Sequence, residues 1–499
     1  MSALSKLLEN EKNAAKKKKI ERELPYFMTF VTLLATSGFG PYTIFQKLKD
    51  VTLLPESRNE SEKILKRIDL LGLDPLTAMT KVKEKSPARE FAEFLGGYVS
   101  AIQGGGDVVS YLSSKMKSAF ERYAEFERGT IEKVTTIIET YMIMQVVVLA
   151  VYIVMNSISN PTSAEITQSE GGLGDLFVAM PPVISLLFMF IAKTMHQSKI
   201  KEIKMKKIIM YAVPPLLVSV IITLLNITPT YDPLIFGGAL IATSIWPIIQ
   251  FKKIYSINLD ATSASPSILR DIAETRKAGI GPEKCVIKAC KRKDFGSFNE
   301  IAGTIASRLE WGNSLNEIYR QLKQEIENFQ VLINFKILFE IISAGGGNVH
   351  TLESLATTAE KMYNVEKEKL EKLKPYVMIG FMMVGLTSFI TLMVIDSMSS
   401  INMDTAANEE VLESIQQKRD NDIRVFSYAV ILQSWLAGLF IGKITTGSYS
   451  GGFLYAALLV VIAMLSGIVV TSGLFDIGSF LGGAGSEGGP PGGFNLGLG

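Results

Sequence analysis

Two kinds of apolar pattern alternate along the chain. In one, apolar residues recur at three- and four-residue spacing among charged neighbours, as in LNEIYRQLKQEIENFQVLINFKILFE at 315–340. That spacing gathers them on one face of an amphipathic helix. In the other, apolar residues run nearly unbroken for close to the ~20 positions a helix needs to cross a bilayer. Such runs lie at 137–158, 176–192, 208–227, 234–250, 376–395, 424–442 and 453–472. Nowhere does polarity alternate with the period of two that marks a strand. The pattern predicts an all-α, polytopic membrane protein with about seven transmembrane helices. Pro181, Pro182, Pro214, Pro215 and Pro247 fall in or beside these runs, a placement that buried helices tolerate when neighbours satisfy the freed carbonyls.

Charge between the runs sets their direction. The connector 193–207 carries Lys193, Lys199, Lys201, Lys204, Lys206 and Lys207 against Glu202, whereas 160–175 carries Glu165, Glu170 and Asp175 and no cation. The connector 397–423 has six acids against Lys418 and Arg419. Cations mark the cytoplasmic side. The expected topology is therefore a multi-pass cell-membrane protein with its N-terminus in the cytoplasm and its C-terminus outside.

A segment recurs at a constant offset. SGFGPYTIFQKL at 37–48 has a partner in AGIGPEKCVIKA at 278–289: Gly38, Gly40 and Pro41 match Gly279, Gly281 and Pro282, each 241 residues on. GGGDVVSYL at 104–112 meets GGGNVHTLE at 345–353, so Gly104, Gly105 and Gly106 map onto Gly345, Gly346 and Gly347 at the same offset. Between these anchors, the stretch from Arg67 to Gly72 resembles Arg308 to Gly312 with a one-residue slip. Two anchors holding one offset imply a duplicated domain. The repeat also bears on KKKKIERELPYFMTFVTLL, which looks like a basic segment leading into an export signal. Its second copy, SPSILRDIAETRKA, contains Asp271, Glu274, Arg276 and Lys277, so residues 24–37 are expected to be a buried helix of a water-exposed bundle.

The expected organisation is a basic segment at 1–23, a cytoplasmic helical-bundle domain at 24–136, four spans within 137–250, and a second cytoplasmic domain at 251–375. Three spans within 376–473 follow, with the acidic connector 397–423 outside, and then a glycine-rich tail at 474–499 that is expected to be disordered. Each copy ends in a long charged helix running into a span. In the second copy Glu368 and Lys372 stand one turn apart, which supports a solvated helix.

The Gly-x-Gly-Pro stretches lack the preceding strand and third glycine of a dinucleotide loop. They read as helix corners: Gly38 or Gly279 ends one helix in a left-handed turn, and Pro41 or Pro282 opens the next. The triple glycines stop a helix, after which Asp107 or Asn348 caps the long one; a sharper reading makes them joints about which that helix swings as a lever. The sequence shows none of the metal, nucleotide or hydrolase motifs, so no catalytic, cofactor-binding or metal residues are expected. His196 and His350 are the only histidines, and Cys285 and Cys290, five apart, are the only cysteines; the latter read as reduced core residues. Glu139 and Asp396 lie at the ends of spans. Lys16, Lys17, Lys18 and Lys19, with Lys199, Lys201, Lys204, Lys206 and Lys207, are candidate contacts for anionic lipid or an acidic partner. The hydrophobic share of 47% is concentrated in the apolar runs, and the net charge of +2 gives no sign of nucleic-acid binding.

Two helical copies, each feeding membrane spans, resemble the platform protein of type II secretion and type IV filament systems. The resemblance is carried by LLGLDPLTAMTKVKEKSPAREFAEFLGGYVSAIQGGGDVVSYL at 70–112 and its weaker echo at 308–353. The first stretch is similar to the archaeal branch, which includes the platform subunits of the archaellum and of adhesive pili. Four spans between the copies fit that branch better than the simpler bacterial one. The resemblance implies a non-enzymatic protein with no cofactor, a hexameric cytoplasmic secretion ATPase docked on its helical domains, and pilin-like or archaellin subunits leaving the bilayer beside it. It leaves room for a homodimer. A polytopic transporter is the alternative; two large polar domains and few ionisable residues at mid-membrane depth stand against it.

Overall fold

The computed structural model describes residues 3–158, 173–195, 205–224, 231–292, 294–345, 347–404 and 409–471. Every regular element among them is helical. The first copy runs α1 (Ala3–Thr36), α2 (Pro41–Lys49), α3 (Pro55–Leu71), α4 (Pro75–Lys83), α5 (Arg89–Gln103) and α6 (Val108–Ile158). Then come α7 (Leu173–Met195), α8 (Met205–Leu224) and α9 (Asp232–Lys277). The second copy continues with α10 (Pro282–Cys290), a 3-10 turn at Gly296–Phe298, α11 (Asn299–Glu310), α12 (Leu315–Glu325), α13 (Phe329–Ser343) and α14 (Val349–Asp404). Finally come α15 (Glu409–Thr446) and α16 (Tyr449–Thr471). Pro41–Lys49 and Pro282–Cys290 begin and end 241 residues apart, and so do the starts of α6 and α14.

The chain forms two units. One holds 1–132 and 253–372; the other holds 133–252 and 373–499. The boundaries fall inside α6, α9 and α14.

In the first unit both copies share one hydrophobic core. α1 contributes Leu24, Phe27, Phe30, Val31 and Leu34, all buried, so its apolar face is wide because protein covers it. Thr29 and Thr32, which break the apolar run, are satisfied internally: the Thr29 hydroxyl donates to Pro25 O at 2.7 Å and that of Thr32 to Leu112 O at 3.3 Å. α3 starts at Pro55 with no side-chain cap of its own. Glu23 of α1 supplies one, accepting from the N–H groups of Glu56 and Ser57 at 3.1 and 2.7 Å. This satisfies orphan donors that every helix start leaves.

The stretch 315–340, expected as one amphipathic helix, is two. Ile326 turns extended (φ −117°, ψ 138°) and Asn328 caps a new helix, accepting from Gln330 and Val331 N–H at 2.9 and 3.2 Å. Asn258 of α9 stabilises the break by accepting from Glu327 and Asn328 N–H at 3.0 and 2.9 Å. The helix that follows is buried on all sides from Gln330 to Ile342. Its polar residues have partners: the Asn334 amide donates to Ser265 Oγ at 3.2 Å, and that of Asn328 to Thr262 Oγ1 at 2.9 Å. Phe329 meets Tyr26 of α1 edge to face at 4.9 Å, which joins the two copies.

The second unit contains the apolar helices. Among the described residues five helices, in α6, α9, α14, α15 and α16, are long and apolar enough to cross a membrane; Met180–Lys193 and Val213–Ile222, within α7 and α8, are shorter apolar stretches. α15 and α16 form a hairpin turned at Gly447 (φ 74°). Their closeness comes from small residues: a Cβ on Gly438 would stand 2.2 Å from Ala456 Cα, and one on Gly442 only 2.0 Å from Gly452 Cα. Gly438 and Gly442 are four apart, as are Gly452 and Ala456, so each helix offers a smooth stripe along which backbones approach. Beside it, Tyr141, Gln145, Ser185 and Gln433 form a buried hydrogen-bonded chain. Tyr141 Oη lies 3.1 Å from Ser185 Oγ, Gln145 donates to that Oγ at 3.2 Å, and Gln433 donates to Gln145 Oε1 at 2.7 Å.

Gly442→Val should lower the unfolding free energy of the purified protein by about 1–3 kcal/mol, the usual cost of overpacking. Gly238→Val, whose Cβ would meet nothing within 4 Å, should be far milder. Equal midpoints in a detergent-unfolding titration would show that the hairpin does not pack through these glycines.

Candidate functional site

Among the described residues no group of three or more His, Cys, Asp and Glu could hold a metal ion. Cys285 and Cys290 are buried and unpaired by disulfide, and burial pushes the Cys290 thiol up to about 12. His350 is exposed; His196 lies outside the described residues. Glu139 is exposed and accepts from Tyr376 Oη at 3.2 Å, while the side chain of Asp396 is outside the described residues.

The helix corners have matching backbones. Gly38 and Gly279 have φ of 90° and 79°, in the left-handed region where glycine is favoured. Gly40 and Gly281 are extended N-cap residues, with Pro41 and Pro282 at the first helical position. Gly104 stays right-handed at the end of α5, and Gly105 (φ 63°), Gly345 (φ 73°) and Gly347 (φ 91°) are left-handed; Gly106 donates its N–H to Ala101 O at 3.1 Å, and Gly346 lies outside the described residues. Asp107 and Asn348 each accept an N–H of the following helix, from Ser110 at 3.0 Å and Thr351 at 2.7 Å.

In the second copy the structure brings both corners together. Arg276 donates from Nε to Gly347 O and from Nη1 to Ile280 O, both at 2.9 Å, and a Cβ on Gly347 would meet Pro282 Cγ at 3.4 Å. The backbone groups turned toward Arg276 are carbonyls, the wrong polarity for holding a phosphate. The corner joins helices and fixes where α14 begins.

The lysines divide. Lys16 reaches the buried Glu60 at 2.7 Å, a carboxylate that also takes Lys63 at 2.7 Å. Lys17 lies 3.8 Å from Glu21, and Lys18 and Lys19 are exposed. Lys199, Lys201 and Lys204 lie outside the described residues; Lys206 and Lys207 begin α8, their side chains not described.

The feature that sequence reading missed is a pair of contacts between the long helices α6 and α14. Glu127 lies 3.8 Å from Lys369, and Arg128 lies 3.2 Å from Glu368. Shifted by 241, Glu127 falls on Glu368 and Arg128 on Lys369, so each pair is the mirror of the other. Reciprocal contacts of this kind are what a two-fold relation between like elements produces. The signal was present in the sequence as an acid-base dipeptide at equivalent positions. Deeper in, Glu340 of α13 takes Lys336 at 2.6 Å and Lys47 of α2 at 3.1 Å, with both α13 side chains over nine-tenths buried. Lys336 also lies 5.2 Å from the Tyr319 ring centroid.

Long apolar helices joined to a large polar helical unit define a multi-pass membrane protein. The model of the type II secretion system protein F family matches residues 2–156 and again 268–395, and the chain belongs to that family. The uncharacterized protein MJ1286 of Methanocaldococcus jannaschii is similar, at 21% identity over 417 residues covering 74% of this chain and 67% of that protein. No solved structure matches the chain.

Glu340→Ala should destabilise the helical unit by about 3–5 kcal/mol, because it leaves Lys336 charged and buried. Lys47→Met, at a more exposed position that water reaches, should cost about 1 kcal/mol or less. Urea midpoints that fall equally would show that Glu340 is not the centre of the network.

Proposed function

We propose that the protein is the membrane platform of an archaeal type IV filament machine, an archaellum or an adhesive pilus. In this reading the helical unit docks a hexameric cytoplasmic secretion ATPase, and pilin-like or archaellin subunits assemble beside the membrane helices. The observation that carries it is the family match falling twice on the chain, over two segments that pack on one core. A gene duplication accounts for the repeated offset. The protein is a binding and transmitting element, without catalysis or cofactor.

Both copies sit in the cytoplasm, with the N-terminus inside and the C-terminus outside. Their shared core supports one side for both, since a core continuous through 1–132 and 253–372 has to lie in one compartment. The proposal includes seven spans, with α7 and α8 added to the five long apolar helices. Removing that adjacent pair leaves the parity unchanged, so the copies stay on one side with five spans or seven. The lysine connector 193–207 supports seven, because only then does it face the cytoplasm. A helix such as α14, charged at one end, apolar at the other and continuous through Pro375, would carry a movement of the helical unit toward the bilayer.

Two measurements test this. Single cysteines at Lys66 and Lys284, both exposed, should react with an impermeant maleimide only in inverted vesicles. Reaction from opposite sides would end the shared-compartment topology. The detergent-solubilised protein should also bind its cognate secretion ATPase, and Lys→Glu changes at Lys81, Lys85, Lys284 and Lys288 should weaken binding, most at low ionic strength. Undiminished binding in those variants would remove the electrostatic contribution, and no binding by the unaltered protein would remove the platform reading.

A further inference from the structure

Among the described residues, the large apolar side chain most exposed to solvent is on the polar helical unit. Trp311 is 81% exposed and Leu70 77%, both above Met378 at 72%, the most exposed such residue of the apolar helices. Leu71, beside Leu70, is 68% exposed.

These residues occupy one position in the two copies. Leu71 ends α3 before Gly72 (φ 63°), and Trp311 follows α11 before Gly312 (φ 80°). Both turns close on an arginine carbonyl, the first one residue wider than the second: Leu73 N–H donates to Arg67 O at 3.2 Å, and Asn313 N–H to Arg308 O at 3.0 Å. Leu73 then packs against the core. Each corner is thus a fixed left-handed helix stop that holds the preceding side chain outward. Exposing apolar surface forgoes the gain of burying it, and nothing in the turn geometry requires leucine or tryptophan just before the glycine.

We infer that Leu70, Leu71 and Trp311 are paired anchors for a soluble homo-oligomeric protein, each corner entering the same acid-rimmed apolar pocket on a different subunit. The acid rim follows from charge. Lys66 and Arg67 stand one turn before Leu70 and Leu71, on the same helix face, and among the described residues no carboxylate pairs with either. Arg308, one turn before Trp311, reaches Glu325 only at 3.8 Å. The repeated pocket follows from the repeated corner: an exposed apolar side chain stands before a left-handed glycine in both segments, so a partner able to take both has to present its pocket more than once, as symmetric oligomers do. Exposed tryptophan one helical turn from an arginine is also the composition of an interface anchor, and the carboxylate next to it, Glu310, is taken by Lys291. This inference rests on the platform reading, in which the ring ATPase is that oligomer.

The test uses the full chain in nanodiscs with the cognate secretion ATPase as probe. Leu70→Ser/Leu71→Ser and Trp311→Ser should each weaken binding about tenfold or more, the scale of a hot-spot residue, with the thermal midpoint unchanged because the side chains are exposed. Binding as tight as that of the unaltered protein overturns the anchors and leaves the platform reading intact; no binding by the unaltered protein overturns both. Trp311 emission, isolated by subtracting the Trp311→Phe spectrum, should shift to the blue when the ATPase is added. Quenching of that emission by brominated anionic lipid in the ATPase-free nanodisc would place the corner in the bilayer instead. Loss of a dimer in the serine variants by analytical ultracentrifugation would make the occupant a second copy of this chain. Either result overturns the inference.

Discussion

The burial of α13 on every side is the constraint on which the helical unit depends. A helix with no face left for solvent has to be enclosed by elements from more than one direction, and one six-helix copy does not supply them all. Phe329 meets Tyr26, and Lys47 reaches Glu340, so the first copy closes around a helix of the second. The copies have diverged accordingly. α5, the counterpart of α13, buries only Phe91, Phe94, Leu95, Tyr98 and Val99, one stripe of an amphipathic helix. The two segments that the family model matches take central and peripheral places in a single core.

That arrangement explains which parts of the fold were legible. The corners were readable because glycine and proline act locally: a left-handed turn and a fixed φ depend little on what packs around them. The caps at Asp107 and Asn348 were readable for the same reason. α1 was difficult, since a helix covered on all sides loses the polar stripe that separates it from a membrane span. Only comparison with the charged second copy resolved it. The break at Ile326–Asn328 was illegible because its cause is distant: Asn258, about 70 residues earlier, takes the two freed N–H groups and no local periodicity records that.

In the membrane unit, hydropathy located the apolar helices and was blind to how they pack. Lipid is as apolar as leucine, so helices there associate through shape and hydrogen bonds instead of hydrophobicity. The determinants are therefore residues that a hydropathy pattern discounts, namely Gly438, Gly442 and Gly452 for close approach and Gln145, Ser185 and Gln433 for hydrogen bonding. GLFIG at 438–442 holds a small-residue spacing that a hydropathy reading passes over, and the glutamine pair joins positions 288 residues apart and needed the fold.

The reciprocal ion pairs on α6 and α14 belong to a different energetic class from the core. Arg128 and Glu368 are partly exposed, and a pair of that kind contributes only about 0–1 kcal/mol; Glu127 and Lys369 are largely buried but 3.8 Å apart, too far for a hydrogen bond. They cannot hold the unit together, which α13 and its surroundings already do. What they fix is register: sliding one long helix by a turn past the other would set Glu127 away from Lys369 and Arg128 away from Glu368 together, so the two contacts break or form as one.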